Sequence, residues 1–500
     1  VTYQKLNESF YQISGTPEQL QEIKRKFTVK IPNAFFDPMI KRGLKPDSEV
    51  FYVESGNDII IPAGLVQFLQ SFGIKPSHTS EFTKEQILEH IKSLNIPFEL
   101  YDYQENMVLD SLINQQQLCL AATSSGKSVV IYCIASFLYK HTKKGIILVP
   151  NISLTTQIFN DFKEYNASDE FLNNIRLIGG DNIVKSLDKQ LTISTWQSVM
   201  RIPQEKLQNL DYIIVDEAHG LKLDNVSTDI VYNSINAKYR IGLTGTLPDD
   251  PIAKMAVMSC VGAPKRYIRT QGLIERGLAT PVHINVLKLR YSNEDKALFK
   301  YVGNYSKKLK FIKEHQNRNM FISKLSLKVS ESGNSVIMCS HTEHMKDIFK
   351  ELMKQKHPDV EVENKNIVGA KAFDFQNKYG IFYIAGATKA KDRQKIIEIL
   401  KEHDSAILVS NYSLFSTGIS IKKLKNIIFA SPMKSYTTIT QSIGRAIRLH
   451  VSKNMAEIWD IVDDFSIRGD SGPFYNQYQE RLLKSYQPEG FPIDQRTILI

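Results

Sequence analysis

Ala121-Ala122-Thr123-Ser124-Ser125-Gly126-Lys127-Ser128 is a run of small residues closed by a lysine and a hydroxyl. It follows the apolar segment Leu118–Leu120 and precedes Val129-Val130-Ile131-Tyr132, which can begin a helix. A strand, a tight loop and a helix start form the context that a phosphate cradle needs. Successive backbone N–H groups then converge on phosphate oxygens, and the helix N-terminus adds partial positive charge. In this reading Thr123, Ser124, Ser125 and Gly126 form the cradle. Lys127 reaches the β- and γ-phosphates, and Ser128 offers its hydroxyl to Mg²⁺. Ala121 stands where the pattern usually has its first glycine, a mild departure, because close backbone approach is needed mainly around Gly126.

Downstream, Tyr212-Ile213-Ile214-Val215 reads as an apolar strand with Asp216-Glu217-Ala218-His219 at its carboxyl end, where parallel sheets place ligand chemistry. The adjacent carboxylates can divide the labour. Asp216 fixes Mg²⁺, partly through water, while Glu217 orients and deprotonates an attacking water. Loop and acid pair together point to hydrolysis of a nucleoside triphosphate.

The elements that must position these groups follow from apolar patterning. Leu118–Ala122, Ile146–Val149, Leu191–Ser194, Ile213–Val215 and Ile241–Leu243 are expected strands. A second set is Ser335–Met338, Ile381–Ile384, Ala406–Val409, Ile427–Ala430 and Ile458–Val462. Continuous apolar runs separated by helical stretches suit parallel strands covered on both faces, so two α/β domains in tandem are expected. Before them lies a small α+β unit. Thr16 can cap a helix, with Pro17 at its first position and Gln19 completing a capping box. Val50–Val53 and Ile59–Ile61 flank Ser55-Gly56-Asn57-Asp58 as a hairpin, and Pro62 opens a short helix stopped near Gly73. Lys75–Ser80 reads as the linker that closes this unit. The expected domains are 1–80, an accessory unit; 81–275 and 276–466, the two α/β domains; and 467–500, a helical tail.

The 500 residues are 42% hydrophobic and 23% charged, and Lys plus Arg exceed Asp plus Glu by 63 − 53 = +10. That excess favours a polyanionic partner without requiring one. No apolar stretch is long enough to cross a bilayer, and Val1–Lys5 lacks a basic-then-apolar leader pattern. Cys119, Cys133, Cys260 and Cys339 are far apart and read as buried thiols of a reducing compartment. Secreted, membrane-embedded, zinc-finger and disordered classes are set aside. Between the two strand sets, Tyr301–Ser330 carries Lys307, Lys308, Lys310, Lys313, Arg318, Lys324 and Lys328 against Glu314, a net of 7 − 1 = +6. Two readings stay open there: an amphipathic connector with a solvated basic face, or a stripe that touches a phosphate backbone.

From about Glu99 onward the sequence resembles the superfamily 2 helicases and translocases. Tyr101-Asp102-Tyr103-Gln104 is similar to the upstream glutamine element, which implies that Gln104 reads adenine. Pro150 with Thr155-Thr156-Gln157, and Ser194-Thr195-Trp196-Gln197-Ser198, are similar to strand-contacting segments. Leu243-Thr244-Gly245-Thr246 is similar to the coupling segment. Phe415-Ser416-Thr417-Gly418-Ile419-Ser420 and Gln441-Ser442-Ile443-Gly444-Arg445-Ala446-Ile447-Arg448 are similar to the last two motifs. The resemblance implies two RecA-like motor domains using ATP and Mg²⁺. It implies nucleic-acid contacts at Thr155, Gln157, Thr195, Trp196, Gln197 and Thr417, a nucleotide contact at Gly418, and coupling through His219, Thr244 and Thr246. Gln441, Arg445 and Arg448 are implied in catalysis. The two arginines, three apart, are expected on one helical face, presented to a γ-phosphate held by the first domain.

Within the superfamily, Pro62–Val66, Phe415–Lys422 and Trp459-Asp460-Ile461-Val462-Asp463-Asp464 are similar to the phage recombination and branch-migration helicases. That likeness implies remodelling of branched DNA: Holliday-junction migration, fork regression and unwinding of displacement and RNA–DNA loops. It also implies the cytoplasm of a host cell and recombination or replication proteins as partners of the N-terminal unit. Three other functions stay open: a double-strand DNA translocase, the motor subunit of a restriction or repair complex without its own nuclease, and an ATP-gated annealing clamp. Tyr475, Tyr478, Arg481, Lys484 and Tyr486 in the tail are expected on a helix docked against the second domain.

Overall fold

All five apolar runs between Leu118 and Leu243 are strands of one seven-stranded, all-parallel sheet. Its order is Pro264–Ile268, Gln116–Ala121, Tyr239–Thr244, Tyr212–Asp216, Gly145–Val149, Leu191–Thr195 and Ile175–Ile178. The computed structural model describes residues 1–74, 80–179, 186–223, 226–369, 371–418, 421–433, 435–466 and 472–500; the side chains of 390 and 416–418 also lie outside the description. Most of the expected linker, 75–79, therefore falls outside it. The chain divides into two units, Val1–Ile268 and Arg269–Ile500. Each is built on its own parallel sheet, and the fold is a tandem of RecA-like domains.

In the first unit the central strands are buried along their whole length, as continuous apolar runs require. The helix Lys127–Lys140 that follows the phosphate loop is almost wholly buried, from Val129 to Leu138. Its N-terminus is thereby fixed at the carboxyl edge of the sheet. The two strands that the apolar runs did not reveal, Ile175–Ile178 and Pro264–Ile268, lie at the sheet's edges. There they carry polar, partly exposed residues such as Arg176, Lys265 and Arg266.

The N-terminal residues form a four-stranded antiparallel sheet in the order Thr2–Lys5, Phe10–Ser14, Asp58–Pro62, Val53–Ser55. Thr16 caps the helix Pro17–Lys26 and the capping box with Gln19 is present. The run Val50–Val53 is divided. Ser48–Val50 pairs with Thr28–Lys30, while Val53–Ser55 forms the hairpin with Asp58–Pro62. This small sheet shares one hydrophobic core with the first parallel sheet: Ile13, Leu20, Phe27, Phe51, Leu65 and Leu69 cluster with Leu118, Val257, Met258 and Val261. The 3₁₀ segment Ala63–Phe72 lies so close to the helix Pro251–Val261 that a side chain on Gly64 would collide with the Met258 and Ser259 carbonyls. Buried Arg240 adds a polar tie, donating to Ser9 Oγ (2.5 Å), Ala237 O (2.9 Å) and Val231 O (3.1 Å).

The second unit has a seven-stranded parallel sheet in the order Ile381–Ile384, Ile407–Asn411, Asn334–Cys339, Leu424–Phe429, Ala456–Asp464, Val282–Arg290, Ile493–Leu499. The tail expected to be helical is so only over Gly472–Tyr486. Ile493–Leu499 is instead a strand, pairing in parallel with Val282–Arg290 and completing the sheet. Arg318, read in the sequence as part of the basic stripe, is buried. It donates to Asp463 Oδ1 (2.7 Å) and Oδ2 (3.1 Å) and to Ala430 O (2.7 Å), pinning the helix Gln316–Ser330 to the sheet. Arg481 and Tyr486 in the tail likewise converge on Asp460. All four cysteines are buried thiols. Among the described residues no helix is long and apolar enough to cross a membrane.

Candidate nucleotide and nucleic-acid site

The loop 122–126 turns on two left-handed residues, Ser124 (φ 69°) and Gly126 (φ 80°). Gly126 is required twice over. Its φ strains an L side chain, and a Cβ would strike the Gln104 amide. Gly126 is also the N-cap of the helix Lys127–Lys140 and supplies no side-chain cap, so the first N–H groups of a deeply buried helix have no side-chain acceptor there. Ser125 Oγ is buried with no hydrogen-bond partner. Lys127 Nζ lies over the loop's own carbonyls, 3.3 Å from both Ala121 O and Ala122 O. An orphaned hydroxyl, uncapped N–H groups and an ammonium resting on weak acceptors are donors in want of an anion. They fit the phosphates of ATP.

Asp216 ends the strand Tyr212–Asp216, and Glu217 follows in the left-handed conformation at φ 52°. That strain is tolerable because the Glu217 N–H donates to Asp216 Oδ1 at 3.0 Å. Burial, then the neighbouring Glu217 charge, push the Asp216 carboxyl up to about 7, against the opposing pull of Lys127. An acid whose charge is disfavoured beside a lysine-bearing loop is suited to a cation. Among the described residues no cluster of three or more His, Cys, Asp or Glu forms a metal cage. The donors therefore fit Mg²⁺, which takes one or two protein oxygens with phosphate and water completing its shell. Ser128 and Asp216 would supply those oxygens. Ser128 Oγ is hydrogen-bonded to Tyr165 OH at 2.7 Å, a partner that nothing in the motif pattern reveals.

A chain of contacts leaves the acid pair. His219 Nδ1 is 3.3 Å from Glu217 Oε2 and 2.9 Å from Thr244 Oγ1, and Thr244 Oγ1 donates to Thr246 O at 3.0 Å. Gly245, between them, lies against the phosphate loop: a Cβ there would be 3.4 Å from Thr123 Oγ1. His219, Thr244 and Thr246 are thus brought together with the nucleotide loop. Thr246 Oγ1 is buried without a partner.

Other expected residues are placed differently. Gln104 is buried, and its amide spans Tyr101 N (2.9 Å) and Ser125 O (2.9 Å), so it braces the loop rather than presenting a free edge to adenine. Tyr103 OH reinforces that brace on Ser125 O at 2.9 Å. Thr155 Oγ1 donates to Ile152 O (2.6 Å) and Thr195 caps the helix Trp196–Val199. Both hydroxyls are turned inward, away from the backbone contact expected of them. Gln157 and Gln197 are exposed, and Trp196 is half-buried. The Thr417 and Gly418 side positions, and Ile419 and Ser420, lie outside the described residues.

In the second unit Gln441 is buried and Arg445 half-buried on the helix Tyr436–Ala446. That helix ends before Arg448, so the two arginines do not share one helical face. Arg448 sits in the following turn, where its carbonyl accepts from Thr280 Oγ1 at 3.2 Å. Lys453 Nζ donates to Ala446 O, closing the helix end that the three-residue spacing could not foresee.

Residues 97–249 match the family described as type III restriction enzyme, res subunit, and residues 317–450 match the helicase conserved C-terminal domain. The ATP-dependent DNA helicase uvsW of Enterobacteria phage T4 is 27% identical over 94% of this chain and 92% of its own. This chain belongs to the superfamily 2 helicases. Its enzymatic class is accordingly that of an ATP-hydrolysing helicase. The crystal structure of T4 UvsW is 24% identical, covers 99% of each chain and has a TM-score of 0.47. Dbp5 of S. cerevisiae, bound to RNA and ADP BeF3, is 14% identical, covers 86% of this chain and 95% of its own, and shares the fold at a TM-score of 0.52.

Proposed function

We propose that this helicase uses ATP hydrolysis to remodel branched DNA, moving Holliday junctions, regressing forks and unwinding displacement and RNA–DNA loops. The observation that carries the reading is a loop of unpartnered donors and a lysine beside an acid pair, on a chain that a phage ATP-dependent DNA helicase matches along nearly its whole length. ATP binds at the loop 122–126, where Lys127 exchanges two carbonyl contacts for phosphate oxygens and Ser125 Oγ gains a partner. Bound Mg²⁺ would neutralise phosphate charge beside Ser128 and Asp216. Glu217, held by Asp216 through its backbone and by His219 through its carboxylate, takes the proton of the attacking water. The Glu217–His219–Thr244–Thr246 chain passes the change in charge at Glu217 to the loop at Gly245, beside Thr123 of the phosphate loop.

Arg445 and Arg448, from separate elements of the second unit, are the cations assigned to stabilise the γ-phosphate's developing charge. Gln157, Trp196 and Gln197 contact the strand along its sugar–phosphate backbone, so sequence preference is low and binding falls steeply with salt. At a branch point, broken and formed base pairs nearly cancel, and a small motor suffices. The test compares ATPase stimulation and strand exchange on four-way junctions, forks, linear duplex, RNA–DNA hybrid and single strands of equal length. Branched molecules are expected to give the largest response. An equal or weaker response to them would replace this reading with a double-strand translocase.

A further inference from the structure

Residues 28–50 form a finger whose root and tip use the same side chain in opposite ways. At the root, Phe27 and Phe51 are 1% and 3% exposed, joined by Phe51 N–H to Phe27 O at 2.9 Å, within the core shared with Val257 and Met258 of the first parallel-sheet domain. A two-stranded ribbon, Thr28–Lys30 with Ser48–Val50, rises from that root. At the tip, Phe35 and Phe36 are 74% and 75% exposed, with ring centroids 5.7 Å apart in an edge-on arrangement. Met39 (49%) and Leu44 (66%) extend the apolar tip and are tied by Leu44 N–H to Met39 O at 2.9 Å.

Two adjacent phenylalanines three-quarters in water gain nothing from the fold, and a patch of this kind marks an interaction surface. Its charge selects the partner. Lys30, Lys41, Arg42 and Lys45 are exposed, and among the described residues none is in an ion pair. Against these four, residues 30–45 hold one acid, Asp37, a net of 4 − 1 = +3 toward the tip, while Asp47 and Glu49 at the ribbon bring the whole finger to 4 − 3 = +1. Asp37 is itself occupied as a helix cap, accepting from Met39 N at 2.8 Å. The Lys41 ammonium sits 4.6 Å from the Phe35 ring centroid, so flat apolar faces and positive charge are presented together. Unpaired nucleobases flanked by phosphates have the complementary pattern. Stacking on aromatic rings needs no particular base and needs bases free of their own neighbours.

We propose that Phe35 and Phe36 are a base-stacking tip that holds unpaired bases at a DNA branch point. The inference rests on the branched-DNA reading given above and adds the part of the chain that senses the branch. Because the root is embedded in the core of the nucleotide-binding unit, the tip moves as one body with the phosphate loop. A base held at the tip is thereby displaced relative to the duplex as that unit moves.

The test uses the full chain and DNA alone. Phe36→Trp places an indole at the tip, and its emission is compared with that of the parent on a blunt linear duplex, a forked duplex with unpaired arms and a four-way junction. Quenching specific to the variant is expected on the fork and the junction and not on the blunt duplex. Phe35→Ala with Phe36→Ala is expected to weaken fork and junction binding about tenfold, and blunt-duplex binding at most about twofold. The corresponding pair of leucines, which keeps apolar area without a stacking face, should behave like the alanines.

Full activity of the leucine pair, equal losses on every DNA, or absence of quenching on all three would each overturn the tip. So would self-association of the parent that the alanine pair abolishes, which would make the finger an interface between copies. The two readings separate cleanly. Junction migration by the parent, with no tip quenching in Phe36→Trp, keeps the branched-DNA function and loses the tip. Fork-specific quenching in Phe36→Trp, with no junction exchange by the parent, does the reverse.

Discussion

Arg318 in the second unit and Asp216 in the first are both ionisable groups set into the interior, and the chain treats them oppositely. Burial works against the Arg318 charge, but Asp463, with Tyr291 beside it, more than offsets this and holds the guanidinium firmly protonated. Arg481 is treated in the same way by Asp460 and Tyr486. At the nucleotide loop the carboxylate of Asp216 faces another carboxylate, Glu217 is strained, and Ser125 and Thr246 keep buried hydroxyls without partners. Arg318 keeps an opposite charge against it even though its Nη1 has no hydrogen-bond partner, whereas Asp216 has a like charge for its neighbour, and that imbalance suits it to a ligand that supplies the missing positive charge.

The largest effect expected from that contrast is on stability. Arg318→Met leaves the Asp463 carboxylate buried and uncompensated and should cost about 3–5 kcal/mol, read by urea unfolding. Adding Asp463→Leu should restore most of it, since removing a buried pair together is far milder than breaking it. A small loss in the single variant would erase the distinction between scaffold and site. On the other side, Lys127→Ala should lower ATP turnover by roughly a hundredfold to a thousandfold. Its melting temperature should scarcely move, because Lys127 contributes only two long contacts to carbonyls.

Asp216→Asn sharpens the comparison through pH. Raising a carboxyl to about 7 means that its charged form is disfavoured in the folded state. The penalty is absent well below the ordinary aspartate value of 3.8, where the acid is protonated folded and unfolded, grows as pH rises from there, and is complete above about 7. The asparagine variant should therefore be more stable than the parent at pH 8 without nucleotide, with the difference shrinking as pH falls and gone by about pH 3. It should also lose turnover. The smallest effect belongs to Tyr165→Phe, which frees Ser128 from its 2.7 Å partner. Affinity for Mg²⁺ and ATP should rise by about two- to tenfold, the range of one hydrogen bond, in equilibrium titration.

The contrast also explains what could be read from sequence. Strands buried on both faces, such as Leu191–Thr195, show themselves as continuous apolar runs. Val282–Arg290 and Ile493–Leu499 do not: the first carries His283, Asn285 and Lys288, and the second is a half-exposed edge. The phosphate loop and the acid pair are local patterns, so their residues were legible. Arg318 looked solvated because its partner lies 145 positions away. Gln104 looked like a base reader because nothing local shows that Ser125 O claims its amide. Arg448 looked helical because spacing carries no helix end. The exposed phenylalanine pair at 35–36 was not singled out, since an apolar residue is unusual only once the fold leaves it outside.

The account's central claim is that hydrolysis, and not nucleotide binding alone, drives the movement of a branch. The most direct measurement is the rate of strand exchange on a mobile four-way junction with Mg²⁺ and ATP, comparing the parent with Glu217→Gln. The variant keeps the loop, Lys127 and Asp216. It should bind ATP and junction close to the parent's affinity while exchange falls by at least about a hundredfold. Exchange at the parent's rate in the variant would contradict the motor and leave a protein whose grip on DNA ATP merely gates.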